Sequence, residues 1–190
     1  WMGGMTMYMI FQNMKQTNHT SRHFWLFDTF EGLPEHSHEK DDPRAKKVYA
    51  ELQSGGETSY VTSQVNKRGI IDGKWNYGPI DIVLNNLRYT GYPQENFHLV
   101  KGKVEDTLSV TKLPEKIAIL RLDTDWYLST KMELEYMYHR LQSGGVLIID
   151  DYCTWTGSKM ATEEFFNETL NLDANSISNI TKPCLVYWKP

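Results

Sequence analysis

Apolar residues are concentrated in short continuous runs, and these runs alternate with longer segments in which apolar positions recur at helical spacing. The clearest runs lie at residues 117–122 and 146–149, where the apolar residues do not alternate with polar ones. Continuous runs are typical of parallel strands that are buried on both faces. The pattern therefore predicts an α/β fold with a mostly parallel sheet and helices on both faces.

The predicted elements follow one another along most of the chain. The predicted strands are residues 23–29, 97–101, 117–122, 146–149 and 185–188, and the predicted helices are residues 5–14, 46–53, 80–89, 129–141 and 158–170. The segment at 31–89 contains no convincing strand, and such segments in compact domains are often lids or substrate loops. We therefore expect a single domain over residues 1–190 with a lid or substrate insertion at about 31–89.

The amino-acid composition limits the kinds of molecule that the chain is expected to bind. The chain has 190 residues, of which 40% are hydrophobic, and its net charge is −4. A mildly acidic domain has no excess of Lys and Arg to neutralise phosphates, so nucleic acid is not an expected partner. No apolar run reaches the roughly 18 residues that cross a bilayer, so no membrane partner is expected. The two cysteines, Cys153 and Cys184, favour a reduced, cytoplasmic setting over a disulfide framework.

Carboxylates follow several of the predicted strands: Asp28, Asp123 and the pair Asp150-Asp151. Ligands of open parallel sheets bind beyond the carboxyl ends of the strands, so these acids should face one crevice. A single acid at such a position is equally well explained as a cap, but clustered carboxylates repel one another unless a cation or donor groups lie among them. Carboxylate oxygens are the ligands that Mg²⁺ prefers, and no zinc-type Cys–His spacing is present.

Asp28 and the first glycines suggest a second role. An acid at the end of the second strand of a Rossmann-like unit commonly accepts hydrogen bonds from ribose hydroxyls. Gly3 and Gly4 precede an apolar helix and would allow the backbone to approach a bound cofactor. Alone this is weak, since glycine pairs are common in turns.

Three longer strings resemble those of a known family, the macrocin-type (TylF/MycF) sugar O-methyltransferases. Residues 27–34 (Phe-Asp-Thr-Phe-Glu-Gly-Leu-Pro) resemble the family's DSFEGLP signature. Residues 121–130 (Arg-Leu-Asp-Thr-Asp-Trp-Tyr-Leu-Ser-Thr) resemble RLDGDxYxST, and residues 144–152 (Gly-Gly-Val-Leu-Ile-Ile-Asp-Asp-Tyr) resemble GGxxIxDDY. Residues 102–108 are similar to GxFxDTLP, and residues 1–4 are similar to the end of the family's first motif. The resemblance spans essentially the whole chain in the family's order.

The resemblance implies a Rossmann-like class I methyltransferase sheet and transfer of a methyl group from S-adenosylmethionine to a hydroxyl of a sugar or natural product, with Mg²⁺ bound. It implies that the metal ligands are Asp123, Asp150 and Asp151, and that Asp123 is also the catalytic base. The residues that it places at the cofactor are Gly3, Gly4, Asp28, Gly102 and Val104. Because members of the family are often oligomeric, a homo-oligomer is the expected assembly.

The sequence departs from the family at its start. The first strand of this fold, which in the family precedes the glycine turn, is absent here. That strand is central in the sheet, so its absence should leave a gap or an open edge at which backbone groups need partners. We therefore expect the natural protein to be longer, or this polypeptide to be compromised.

Two alternatives stay open. A catechol or phenol O-methyltransferase of the same fold would use the same metal ligands, so those ligands do not identify the acceptor. An inactive, truncated cofactor-binding module is favoured by the missing strand, whereas the intact carboxylates argue against it. A nucleotide-binding hydrolase would require a phosphate-binding glycine loop with Lys and Ser or Thr, and the sequence has no such string.

Overall fold

The computed structural model describes residues 2–36, 38–53, 70–71, 74–177, 180–181 and 184–190. The chain forms two compact units. The first comprises Trp1–Pro34 and Ala50–Lys103, and the second comprises Glu35–Tyr49 and Val104–Pro190. The segment at 31–89, predicted as a lid or substrate insertion, thus contributes residues to both units.

The predicted helices and strands are present among the described residues. The helices are α1 (Gly4–Thr17), α2 (Pro43–Gln53), α3 (Ile80–Arg88), α4 (Val104–Thr107), α5 (Tyr127–Met137) and α6 (Thr156–Leu170). The strands are β1 (Phe24–Asp28), β2 (Ile70–Ile71), β3 (Lys74–Trp75), β4 (Phe97–Lys101), β5 (Ile117–Leu122), β6 (Leu141–Ile149), β7 (Ile180–Thr181) and β8 (Cys184–Trp188). The expectation of no strand within 31–89 was wrong, because β2 and β3 form a short antiparallel pair there. Strands of two residues are too short to leave a hydrophobic period.

The first unit is built on a parallel pair of strands. Phe24 pairs with Phe97, and the pairing continues to Asp28 and Lys101. Successive residues of a strand point to opposite faces, so Phe24 and Leu26 share one face of this pair. That face packs on a buried cluster of residues from α1, α3 and the adjoining loops: Ile10, Phe30, Val83, Leu87 and Tyr92. The cluster therefore packs β1, which ends at Asp28, against the middle of α1 and against α3.

The second unit contains a four-stranded sheet in the order β5-β6-β8-β7. β5 and β6 are parallel, whereas β8 runs antiparallel to both β6 and β7. Leu122 pairs with Ile149, so β5 and β6 end side by side. This register brings the residues that follow the two strands, Asp123 and Asp150, to the same edge of the sheet.

Strands β1 and β5 each lie at the edge of their own sheet. In the described residues, β1 pairs with β4 alone and β5 pairs with β6 alone. Each of these two strands therefore has one edge without a strand partner among the described residues, and the expected gap left by a missing strand stays a prediction. Among the described helices, none has the length and apolar character that a membrane crossing requires.

Candidate active site

Asp123, Asp125 and Asp151 form a compact carboxylate cluster at the ends of β5 and β6. One oxygen of each lies within 4.8 Å of the others. Asp125 and Asp151 are each 8% exposed, and Asp125 has a positive φ of 68°. The Oδ2 atom of Asp151 is buried and has no hydrogen-bond partner in the described part of the chain. A buried carboxylate oxygen without a donor fits an oxygen-liganded divalent cation, since a cation would supply the missing interaction.

Asp150 lies in a different local environment from its neighbour Asp151. Its Oδ1 atom is 3.0 Å from Nη2 of Arg121 and accepts a hydrogen bond from Sγ of Cys184 at 3.2 Å. Nη1 of Arg121 also donates to Oδ2 of Asp123 at 2.6 Å. The structure thus brings Asp123 and Asp151 of the predicted metal triad together with Asp125, whereas Asp150 is held by Arg121. The assignment of Asp123, Asp150 and Asp151 as ligands stays a prediction.

The crowding of like charges raises the pKa of most of these acids. Burial, with the charges of Asp151 and Asp150, raises the pKa of Asp123 to about 6, although Arg121 counteracts part of that effect. Burial also raises the pKa of Asp125 well above its ordinary value and that of Asp151 above its own. Burial alone would raise the pKa of Asp150, but Arg121 outweighs it and the pKa is lowered. A site that favours protonated carboxylates is one that a cation would stabilise in the charged form.

The predicted cofactor residues of the first unit lie at strand and helix termini. Oδ1 of Asp28 accepts the backbone N–H of Phe30 at 2.7 Å, which sets the direction of the exposed carboxylate. The N–H of Gly102 donates to the carbonyl of Asp28 at 3.0 Å, so the ends of β1 and β4 are tied together. Gly3 precedes α1 with φ 76°, a conformation that side chains disfavour.

Gly4 and Val104 complete the predicted cofactor set. Gly4 is the first residue of α1, and a Cβ added to it would meet no atom within 4 Å. Open space beside the first turn of a helix leaves room for a ligand there. Val104 begins α4 in the second unit and is buried. The roles of Gly3, Gly4, Asp28, Gly102 and Val104 stay predictions.

The segment at 35–49 belongs to the second unit and is tied to α5. Oδ1 of Asp41 accepts the N–H of Tyr127 at 2.7 Å, and Oδ2 accepts the N–H of His38 at 3.1 Å. The ring of His38 stacks on that of Tyr127, and Nζ of Lys40 donates to Oη of Tyr127 at 3.0 Å. These contacts bring the loop that follows the Gly32-Leu33-Pro34 string onto the helix that follows the carboxylate cluster.

Aromatic rings from that segment lie beside the acids. The ring centroids of Tyr49 and Trp126 are 6.5 Å apart, and that of His36 lies 6.0 Å from Tyr49 and 6.4 Å from Trp126. Burial, with the charges of Glu35 and Asp125, raises the pKa of Tyr49. Nδ1 of His36 is buried without a hydrogen-bond partner among the described residues.

Sequence reasoning missed Asp125, Arg121 and Asp41. Asp125 and Arg121 lie in the same string as Asp123, two residues to either side, and strand periodicity places Arg121 and Asp123 on one face. That spacing was available as a signal. No local pattern marks Asp41, because its partner Tyr127 is 86 residues away.

The fold defines the class of protein. The solved structure of the O-methyltransferase NovP is similar to this chain with a TM-score of 0.74 and 21% identity, covering 100% of this chain and 68% of NovP. At that identity the similarity shows the fold, which is the Rossmann-like class I methyltransferase fold. The family model for macrocin O-methyltransferase (TylF) matches residues 1–77 and 72–190. The chain therefore belongs to the TylF family, and the predicted fold class and family are confirmed.

Two curated relatives align with most of this chain at moderate identity. The 8-demethyl-8-(2,3-dimethoxy-alpha-L-rhamnosyl)-tetracenomycin-C 4'-O-methyltransferase of Streptomyces olivaceus is 29% identical over 155 residues, which is 80% of this chain and 50% of that protein. The mycinamicin III 3''-O-methyltransferase of Micromonospora griseorubida is 28% identical over 132 residues, which is 70% of this chain and 44% of that protein. The chain thus spans about half the length of the curated relatives that it matches.

Proposed function

We propose that this chain belongs to an S-adenosylmethionine-dependent O-methyltransferase that acts on a hydroxyl of a sugar or natural product with the help of a divalent metal. The observation that carries the proposal is the carboxylate cluster of Asp123, Asp125 and Asp151, in which Asp125 and Asp151 are buried and Oδ2 of Asp151 lacks a partner in the described residues. It lies at the end of parallel strands in a chain of the TylF family.

The metal would be Mg²⁺, held by Asp123, Asp150 and Asp151, with Asp125 beside them. These side chains offer only oxygen atoms, which suits a hard cation. When bound, Mg²⁺ favours the alkoxide form of a hydroxyl, as it does the ionised form of bound water. Oxygen chemistry, burial and the unpartnered oxygen of Asp151 all fit such an ion.

Asp28 would accept hydrogen bonds from the ribose of the cofactor, because its carboxylate is exposed at the end of β1. The backbone N–H of Phe30 donates to Oδ1 of Asp28 and so orients the carboxylate. The backbone of Gly3 and Gly4 would lie against the methionine part, and Gly102 and Val104 against the adenine. When bound, S-adenosylmethionine supplies an activated methyl group, so the protein has mainly to align the acceptor oxygen and remove its proton.

Asp123 would take that proton as the general base. Without a metal its pKa is about 6, so it is mostly ionised at neutral pH, and a bound cation would further favour the ionised form that a base requires. About a third of the side chain is exposed, so a substrate hydroxyl has access to it. Asp125 and Asp151 are more deeply buried and are less suited to direct contact with the acceptor.

The acceptor would contact the side of the cluster on which Tyr49 and Trp126 lie. The relative from Streptomyces olivaceus is named for 4'-O-methylation of a rhamnosyl-tetracenomycin, and that from Micromonospora griseorubida for 3''-O-methylation of mycinamicin III. The charge of Asp125 acts on Tyr49, and Nδ1 of His36, whose ring lies beside that of Tyr49, has no hydrogen-bond partner among the described residues. A polar group among aromatic rings suits a ligand with both hydroxyls and apolar faces.

The test is calorimetric titration of S-adenosylhomocysteine into the chain, first with Mg²⁺ and then with EDTA, alongside Asp28→Asn. We expect micromolar binding by the wild type and a clear loss in the Asp28 variant. Asp81→Asn, a change at an exposed residue of α3, serves as the matched control. A folded wild-type chain that does not bind would contradict the proposal. Binding followed by methylation of catechols but not of sugars would favour the catechol alternative, and binding without turnover on any acceptor would favour the inactive module.

A further inference from the structure

Arg121 bridges carboxylates on two neighbouring strands. Its Nη1 atom lies 2.6 Å from Oδ2 of Asp123, which follows β5, and its Nη2 atom lies 3.0 Å from Oδ1 of Asp150, which follows β6. The Arg121 side chain is 19% exposed. A guanidinium carries its donors in a rigid planar fork, so two simultaneous contacts fix the relative orientation of the two acids.

Cys184 adds a third donor to the same arrangement. Its Sγ donates to Oδ1 of Asp150 at 3.2 Å, so this oxygen is contacted by Arg121 from β5 and by the thiol from β8. A carboxylate is planar, and fixing one oxygen therefore fixes the direction of the other. Arg121 and Cys184 contact Oδ2 of Asp123 and Oδ1 of Asp150. These contacts therefore also set the directions of the two other oxygens, Oδ1 of Asp123 and Oδ2 of Asp150.

The position of Arg121 in its strand explains why it reaches both acids. Residues two apart in a strand point to the same face, which places the side chains of Arg121 and Asp123 on one side of β5. Because Leu122 pairs with Ile149, the acid that follows β6 lies within reach of the same guanidinium. An ordinary surface ion pair would have neither this burial nor two partners.

We propose that Arg121, assisted by Cys184, is a positioning residue that orients Asp123 and Asp150 toward a divalent cation. The inference rests on the proposed function, because it concerns the same metal. Groups that hydrogen-bond to metal ligands commonly set their orientation, and their loss weakens metal binding by about 10- to 100-fold. The alternative is that Arg121 acts as a counter-ion that competes with the metal for the two carboxylates. Removing Arg121 would then tighten metal binding.

The test is binding of Mn²⁺ alone to the full chain, followed by electron paramagnetic resonance, with thermal unfolding in EDTA as a check of folding. The variants are Arg121→Met, Arg121→Lys and Cys184→Ala. Arg88→Met is the matched control, because the guanidinium of Arg88 lies in the first unit and donates hydrogen bonds to Gln94 and Asn85 rather than to an acid of the cluster. Mn²⁺ signals report ligand geometry as well as affinity, which a purely structural role would not alter.

We expect Arg121→Met to bind Mn²⁺ about 10- to 100-fold more weakly than the wild type. Arg121→Lys keeps the charge but loses the fork, so we expect it to remain clearly weakened, and Cys184→Ala to show a smaller loss. Unchanged or tighter Mn²⁺ binding by a folded Arg121→Met variant, or wild-type affinity in Arg121→Lys, would overturn the role of Arg121 and leave the proposed metal site standing. No Mn²⁺ binding by the wild type would overturn the proposed metal and this inference with it.

Discussion

Asp123 combines two requirements that oppose each other. A general base and a metal ligand must both be ionised, whereas burial and the neighbouring charges of Asp151 and Asp150 favour the protonated acid. Arg121 offsets part of that effect through its contact at 2.6 Å. The resulting pKa of about 6 is a compromise between basicity and ionisation at neutral pH. A change of Asp123 to Asn removes the charge of the carboxylate and keeps its shape, and so tests the ionised group itself.

Asp123→Asn tests the role of this residue. An amide cannot accept the acceptor's proton, so we expect turnover to fall about 10²- to 10⁴-fold. Affinity for S-adenosylhomocysteine should change little, because the predicted cofactor contacts lie at other residues. The measurements are methyl transfer to a sugar acceptor and calorimetric binding, with Asp81→Asn as the control. Near-normal rates in the Asp123 variant would show that another group is the base.

At the scale of the element, the start of α5 depends on a residue from a distant part of the chain. The residue before the helix, Trp126, provides no side-chain cap. Asp41 caps it instead, and the side chain is 2% exposed. Gly157 permits the approach, because a Cβ there would lie 2.6 Å from Oδ1 of Asp41. Asp41 therefore ties the segment at 35–49 to the start of α5, directly after the residues of the carboxylate cluster in the chain.

Asp41→Ala should cost about 1–3 kcal/mol of the free energy of unfolding, because two backbone N–H groups lose their acceptor in a buried place. The measurement is urea unfolding, with hydrogen exchange of Tyr127 and His38 as the local signal. Asp173→Ala is the matched control: Asp173 also caps a turn, by accepting the N–H of Asn175, but it is exposed. Equal losses in both variants would mean that the contact with α5 has no special weight.

The whole chain shows which features a sequence can predict. Strands β4 and β5 were predicted with the bounds that the structure has, since β5 is a nearly continuous apolar run and β4 ends directly before Gly102. β6 begins at Leu141, five residues before the predicted start at 146. Gly144 and Gly145 lie inside the strand, and Gly145 lies so close to the carbonyl of Ala118 that a Cβ would be 3.0 Å away.

In the candidate site, too, the order of the elements predicts some residues, whereas others depend on how distant parts of the chain pack. Asp123 and Asp151 were predicted because strand ends in a parallel sheet meet at one edge, and that rule needs only the order of the elements. The contact between Asp41 and Tyr127 depends on how a loop packs on a helix, and no period in the sequence records it. The separate environment of Asp150 depends on the direction of the Arg121 side chain, which strand periodicity indicates but does not determine.

Stability against pH is the property of the whole molecule in which these charges combine. Burial raises the pKa of Glu133, which accepts a hydrogen bond from Thr124, to about 8 from an ordinary value of 4.5. The folded chain therefore binds more protons than the unfolded chain between those values, so this group lowers stability as pH rises toward 8. The lowered pKa of His98 acts in the opposite direction, but only below its ordinary value of 6.5.

Between pH 6.5 and 8, in EDTA, we therefore expect the free energy of unfolding to fall by about 2 kcal/mol. Glu133→Gln should flatten the curve in this window, because its side chain does not ionise. MgCl₂ should reduce the fall relative to KCl of equal ionic strength, since Glu133 feels the charges of Asp123 and Asp151 and a cation among them would favour its ionised form. Urea unfolding at several pH values measures all three. Stability that rises across this window in EDTA would mean that Glu133 is ionised in the folded chain, and an identical curve in MgCl₂ and KCl would argue against a cation at the carboxylate cluster.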